Sequence, residues 1–445
     1  MPLSLISKSA LSFTLLTVCL AVFSEIKPAK AVSFSVLADG LDNVRGLNFA
    51  PDGSLYITES GVGGDGRCIP GPSLEGLLSC AGTSGAVTRV KDGKQERVIT
   101  GLPSIALRPT GTTGEGPQDI QFDRLGNPYL LIGYAGNPTI SDFPKNSPSW
   151  GQLYKVDLKT GSLKSIADLA KYEFANNADG VDVLDVSGEI ASNPYAFTIK
   201  DDTAYIVDAA ANNVLTVGLD GSDLKSLTVL PTQKITNPIF PAPEPGQVLP
   251  PDAPPSGQTP QEIEIQSVPT GVTFGPDGAI YVSEYTGFPF PEGKARIFRI
   301  GVDGETTVYA DGFTQLSDLA FDAESNLYAL QYGNEPQWKG VSDGSLVQIA
   351  PDGTRTTLLS GNGLESATAL TVSPDGAVYV SNKGDRPGQG QVLRIDTTKK
   401  VPEPTSILGL LVGFGALGVC SFTKRSPSGN SKLQAMIRIM ARRLA

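Results

Sequence analysis

The stretch FAPDGSLYITE, residues 49–59, carries the signs of a β-hairpin. Phe49 is apolar, Pro51-Asp52-Gly53 is a tight turn, and an alternating strand runs through Tyr56. The arrangement returns five times. Tyr129, Tyr205, Tyr281, Tyr328 and Tyr379 follow turns at Leu125-Gly126-Asn127, Lys200-Asp201-Asp202, Pro276-Asp277-Gly278, Glu324-Ser325-Asn326 and Pro374-Asp375-Gly376. An apolar residue precedes each tyrosine by seven positions, or eight in the third copy: Phe122, Phe197, Phe274, Phe321 and Val372.

A second pair of strands follows each tyrosine. Its first members are expected at 86–90, 153–156, 214–217, 297–300, 346–349 and 392–395. In five copies a turn at Gly93, Gly161, Gly221, Gly304 or Gly353 leads to a further apolar strand. Four strands per copy and six copies predict an all-β fold, a six-bladed β-propeller over residues 32–400. The sixth copy lacks its fourth strand, because the chain turns polar after Ile395. Residues 33–37 have the missing alternation and are expected to complete the last blade and close the ring. Two β-sandwiches would explain neither the six-fold count nor the missing strand.

The 445 residues include 50 Gly and 34 Pro, in keeping with many turns. There is no histidine. That excludes Ser-His-Asp and Cys-His nucleophiles, a histidine base and His-ligated zinc, copper or haem. Between 32 and 401 lie 26 basic and 44 acidic residues, so nucleic acid has no basic footprint to bind. At the N-terminus, Lys8, an apolar run at 10–23 and Ala29-Lys30-Ala31 read as a signal peptide over 1–31. At the other end, Pro402-Glu403-Pro404 precedes an apolar run at 407–422 and Lys424-Arg425. Residues 401–425 thus read as a transmembrane segment of marginal length with its basic end inside, and 426–445 as a basic tail. Cys19 and Cys420 fall in these ends. Cys68 and Cys80, twelve apart in an exported chain, read as a disulfide.

In a propeller blade the innermost strand starts at one face, the top. Here the bottom turns are short and the long insertions fall in top loops, where binding and chemistry are expected. The Pro-rich stretch 238–260 reads as one such loop, semi-rigid. Residues that start an inner strand or end a second strand are expected at the channel mouth. Glu59 and Asp208 are candidate ligands for a hard cation such as Ca²⁺. Asp119, Glu284 and Asp318 are candidates for acid–base work. Arg45, Gln118 and Asn193 are candidate ligand-binding groups. Strand-end hydrogen bonding is the competing account of all eight. Phe288 and Phe290, with Tyr285, lie in the top loop of blade four; Tyr332 and Trp338 lie in that of blade five. Their rings suit a planar aromatic ligand, or simply stiffen the loops.

The repeats resemble NHL-type propellers. The order Pro402-Glu403-Pro404, short apolar helix and basic cluster resembles the PEP-CTERM sorting signal. That resemblance implies an exosortase-type processing protease as partner, transient anchoring in the inner membrane, and a destination in the periplasm, at the cell surface or outside the cell. The runs LADGL (37–41), RGL (45–47), CIPGP (68–72), GAVTR (85–89), GPQDI (116–120), SNPY (192–195), VPT (268–270), TGFPFP (286–291) and GFT (312–314) resemble the ScyD/ScyE family of cyanobacterial exported propellers. The likeness spans nearly all of 34–395. It implies a part in the late steps of scytonemin, an indole–phenol pigment dimer of the extracellular sheath. The protein would bind the pigment or its precursors as an accessory protein, its partner an aromatic small molecule or the extracellular matrix. Alternatively it would couple an aromatic monomer oxidatively, or hydrolyse a lactone with a metal at the mouth. The family often carries His where Gln118 stands, so a role needing imidazole there falls away.

Overall fold

Each repeat tyrosine meets the apolar marker of the next repeat. Tyr56 lies against Phe122, Tyr205 against Phe274 and Tyr281 against Phe321, with ring centroids 4.9–5.2 Å apart. Tyr129 and Phe197 share a core cluster in the same way, as do Tyr328 and Val372. Tyr379 closes the series on Phe49, 5.0 Å away. Such ring pairs add about 0.5–1.5 kcal/mol each beyond the area they bury. The two residues that mark the repeat in the sequence therefore form the contact between successive repeats.

The structure, a computed structural model, describes residues 32–70, 78–137, 150–180, 190–241 and 261–397. Six antiparallel sheets follow in chain order. The first contains Val44–Phe49, Leu55–Glu59, Leu78–Lys91 and Lys94–Leu107. The second contains Pro117–Phe122, Pro128–Ile132, Gln152–Val156 and Leu163–Asp168, and the third Pro194–Lys200, Thr203–Asp208, Asn213–Gly218 and Lys225–Val229. The fourth is Pro269–Phe274, Ile280–Glu284, Ala295–Ile300 and Thr306–Phe313; the fifth is Leu316–Phe321, Leu327–Gln331, Asp343–Ile349 and Arg355–Glu365. The sixth takes three strands, Ala369–Val372, Val378–Asn382 and Gly390–Asp396, and its fourth, Ser33–Leu41, from the start of the ring. Phe34 pairs with Ile395 and Val36 with Leu393, as the missing-strand argument requires. Each inner strand packs on the next, and the sixth on the first. The protein is a six-bladed β-propeller.

Four features depart from the sequence reading. Leu78–Lys91 and Lys94–Leu107 are 14 residues each and run on past the blade, so much of what reads as a top loop is a stiff β-arm. A short strand, Cys68–Pro70, pairs with that arm, and Cys68 is disulfide-bonded to its cross-strand partner Cys80. A helix, Leu169–Asn176, is capped by Asp168, whose side chain accepts from the Lys171 amide. Gln233–Thr236 and Glu262–Ile265 form a ribbon at the base of the Pro-rich loop; residues 242–260 lie outside the described residues. So do the signal-peptide stretch 1–31, the sorting segment 401–425 and the tail 426–445. Among the described residues no helix is long and apolar enough to cross a membrane.

Candidate functional site

The inner strands break register near their second residue in five blades. A bulge of this kind leaves one residue out of the ladder and re-aims its side chain. The residues set free are Arg45, Gln118, Tyr195, Thr270 and Ser317, and Thr368 holds the same place just ahead of the sixth inner strand. The last three are short hydroxyl residues spent on backbone carbonyls. Thr270 donates to Leu316 O (2.7 Å), Ser317 to Leu330 O (3.3 Å) and Thr368 to Val44 O (2.8 Å), the last from blade six to blade one. Blades one to three instead present a guanidinium, an amide and a phenol.

Below them runs a cavity of about 260 Å³ along the channel, lined by Arg45, Gln118, Tyr195 and the two carboxyls Asp119 and Asp318. The residue facing the channel next in each strand reads Gly46, Asp119, Ala196, Gly271, Asp318, Ala369. The half-ring of three blades is thus repeated across the axis. Asp119 accepts from the amides of Ile120 (2.8 Å) and Phe197 (3.0 Å), and Asp318 from those of Leu319 (2.8 Å) and Leu370 (2.8 Å). Each therefore fastens its own blade to the next. Burial pushes Asp119 up to about 7 and Asp318 up to about 8, against those amide bonds.

Above the cavity stand rings from the loops of blades four and five. Phe288 packs on Phe290, Phe290 on Tyr285 and Tyr285 on Tyr332, with centroids 5.6–5.9 Å apart. Phe240 adds to Phe288 at 5.7 Å. The Trp338 indole N–H donates to Pro289 O at 2.8 Å and so ties the two loops together. Val268 and Thr286, next to one another in this loop pair, hold φ of 57° and 78°. A β-branched residue there is strained by about 1–3 kcal/mol, a cost that tends to be kept at functional sites. The tyrosine hydroxyls stay neutral: burial raises Tyr195 and lifts Tyr285 and Tyr332 further, with Asp385 adding to both of the latter and Arg45 opposing in all three.

The residues expected at the mouth thus divide. Arg45, Gln118, Asp119 and Asp318 line one cavity, and Phe288, Phe290 and Trp338 come together above it. Glu59, Asp208 and Glu284 do not reach the mouth, and this corrects their assignment there. They sit one layer out, fully buried, and pin the chain entering their own blade. Glu59 accepts from the Asp42 amide (2.8 Å), Thr88 Oγ1 (2.6 Å) and Arg97 Nη2 (2.6 Å). Asp208 accepts from the Asn193 amide (2.6 Å) and Ser192 Oγ (2.5 Å). Glu284 is gripped by Arg296 through Nε (2.7 Å) and Nη2 (2.5 Å). Gln331 and Asn382 do the same work, accepting from the amides of Thr314 and Glu365. Asn193 lies outside the cavity wall, its amide used on Asp208. Glu59 and Asp208, in separate blades and already saturated, are not placed to share a Ca²⁺. Among the described residues no group of three or more cysteine, aspartate or glutamate side chains is gathered to hold a metal. Sequence reasoning missed Tyr195 as part of the wall, although its place at the start of the third inner strand was the signal available.

The sequence matches no protein-family profile. It also matches no curated protein. Among solved structures, a gluconolactonase from Xanthomonas campestris is similar at 11% identity and TM-score 0.44, over 82% of this chain and 90% of that one. Virginiamycin B lyase from Staphylococcus aureus is similar at 12% identity and TM-score 0.41, over 82% and 99%. A chain of a nidogen/laminin complex is similar at 14% identity and TM-score 0.39, over 68% and 84%. Similarity at this level assigns no activity.

Proposed function

We propose that this propeller is an exported binding or accessory protein that takes a planar aromatic small molecule at its top mouth. Its resemblance to ScyD/ScyE propellers points to a pigment or precursor of the scytonemin type, met in the periplasm or the extracellular sheath. Delivery there would rest on the signal at 1–31 and on an exosortase-type protease acting at 401–425. The observation that carries the binding reading is the run of rings from Phe240 to Tyr332 above a channel wall of Arg45, Gln118 and Tyr195. Edge-to-face pairs of this kind leave ring faces for a flat ligand.

The test is a titration of the purified full chain with scytonemin monomer under air, followed by tryptophan emission and by chromatography. Binding that saturates, yields no product and weakens about 3–10-fold in Phe288→Ala supports the reading. Absence of saturable binding rejects it.

A second reading is favoured by one observation, the pair Asp119 and Asp318 facing one cavity with raised pKa values of about 7 and about 8. Such carboxyls suit acid–base chemistry on a bound substrate, whether monomer coupling or lactone opening. Product formation lost in Asp119→Asn would decide for it.

A further inference from the structure

The channel wall is chemically lopsided. In blades four to six the bulge position carries Thr270, Ser317 and Thr368, and every hydroxyl is used on a carbonyl. In blades one to three the same position keeps unused capacity. Arg45 donates to Gly114 O (2.7 Å) and Gly384 O (3.1 Å), but its Nε has no partner. Among the described residues no carboxylate forms an ion pair with it. Gln118 is only 4% exposed, and its carbonyl oxygen has no partner. The Tyr195 hydroxyl makes no hydrogen bond among the described residues. Leaving buried polar groups unmade is costly, so Arg45 Nε and Gln118 Oε1 on one wall, with the Tyr195 hydroxyl beside them, point to an absent partner.

The chemistry of the three groups selects that partner. Arginine only donates, while the amide and the phenol donate or accept. A hydroxyl satisfies them together: it accepts from Arg45 Nε–H and donates to Gln118 Oε1, while the Tyr195 phenol can do either. Size narrows the choice further. A cavity of about 150 Å³ holds a benzene ring, so the 260 Å³ here has room for one substituted ring. Asp119 and Asp318 face the same space, but their oxygens are engaged by backbone amides.

We infer that the channel below the aromatic rim is a subsite for a single aromatic ring bearing a phenolic hydroxyl, received by Arg45, Gln118 and Tyr195. This rests on the aromatic-ligand reading of the mouth and specifies which part of a ligand goes inside.

The experiment is calorimetric titration of the full chain with phenol, benzoate and the methyl ether anisole, alongside scytonemin monomer. Phenol is expected to bind at least tenfold more tightly than anisole or benzoate and to compete with the monomer. Gln118→Met abolishes that preference, and Arg45→Gln and Tyr195→Phe each weaken phenol severalfold. If Gln118→Met does not fold, the comparison of phenol with anisole on the unaltered chain still decides. Phenol no tighter than anisole or benzoate, or no single-ring binding, with the monomer still bound, overturns the subsite and leaves the rim reading standing. No binding of any of the four overturns both.

Discussion

Asp119 and Asp318 hold equivalent stations three blades apart, each accepting the backbone amide of the following inner strand, Phe197 at 3.0 Å and Leu370 at 2.8 Å. They are staples between blades as well as part of the channel wall. Burial raises both, to about 7 and about 8, from the ordinary aspartate value of 3.8.

Stability should therefore fall with rising pH. The folded chain holds protons on these carboxyls that the unfolded chain releases above about pH 4. Their favourable contribution is complete below that point and is lost as pH climbs through about 7 and 8. Glu115 and Glu173, raised by burial to about 7, act in the same direction. Thermal unfolding is expected at a higher temperature at pH 5 than at pH 8.5, with a shallower slope in Asp119→Asn/Asp318→Asn. A melting temperature that rises across that interval in the unaltered chain would contradict this account.

The glycines beside the staples set the tightness of the ring. A Cβ on Gly46 would lie 2.7 Å from the Asp119 Cα, and one on Gly271 would lie 2.6 Å from Asp318 Oδ1. Ala196 and Ala369 occupy the same place in blades three and six, where a methyl fits. Gly46→Ala and Gly271→Ala are each expected to destabilise by about 1–3 kcal/mol through overpacking. Denaturant midpoints check this, and an unchanged midpoint in both would show that the inner strands can move apart.

Arg296→Met tests the view that Glu284 is architectural. Glu284 is fully buried, and the guanidinium supplies two of its hydrogen bonds. Removing one partner of such a pair costs about 3–5 kcal/mol, because the other charge is left uncompensated. The loss should show in urea denaturation, while affinity for an aromatic ligand in the surviving folded fraction stays unchanged. Lost affinity at full stability would instead return Glu284 to the site.

The Cys68–Cys80 bond staples the arm of blade one, not the ring. Closing a loop of this length is worth about 3 kcal/mol at most. Cys68→Ser/Cys80→Ser is expected to speed amide exchange in 78–82 and 104–107 severalfold and leave blades four to six protected as before. Faster exchange around the whole ring would mean that the arm nucleates the propeller.

Much of this protein was legible because its fold is repetitive and local. The tyrosine, the turn and the apolar marker recur at hairpin spacing, and period-two alternation dictates which face each residue takes. The missing sixth strand could be matched to residues 33–37 by count alone, and the pairing of Phe34 with Ile395 follows from that. The Cys68–Cys80 bond was readable from the spacing of the two cysteines together with the export expected from the N-terminal stretch.

The site was less legible, and the reason is geometric. Strand-end residues such as Glu59, Asp208 and Glu284 look like Asp119 and Asp318 in a sequence, since all are acidic and near the top. Only the register breaks of the inner strands turn Arg45, Gln118 and Tyr195 into the channel, and only the layering of strands turns Glu59 and Glu284 away toward Arg97 and Arg296. The sequence by itself determined six blades, their order and the strand that closes them, because those depend on neighbours in the chain. Tertiary structure decided which polar groups face the ligand and which hold the frame, because that depends on residues far apart in sequence that burial brings side by side.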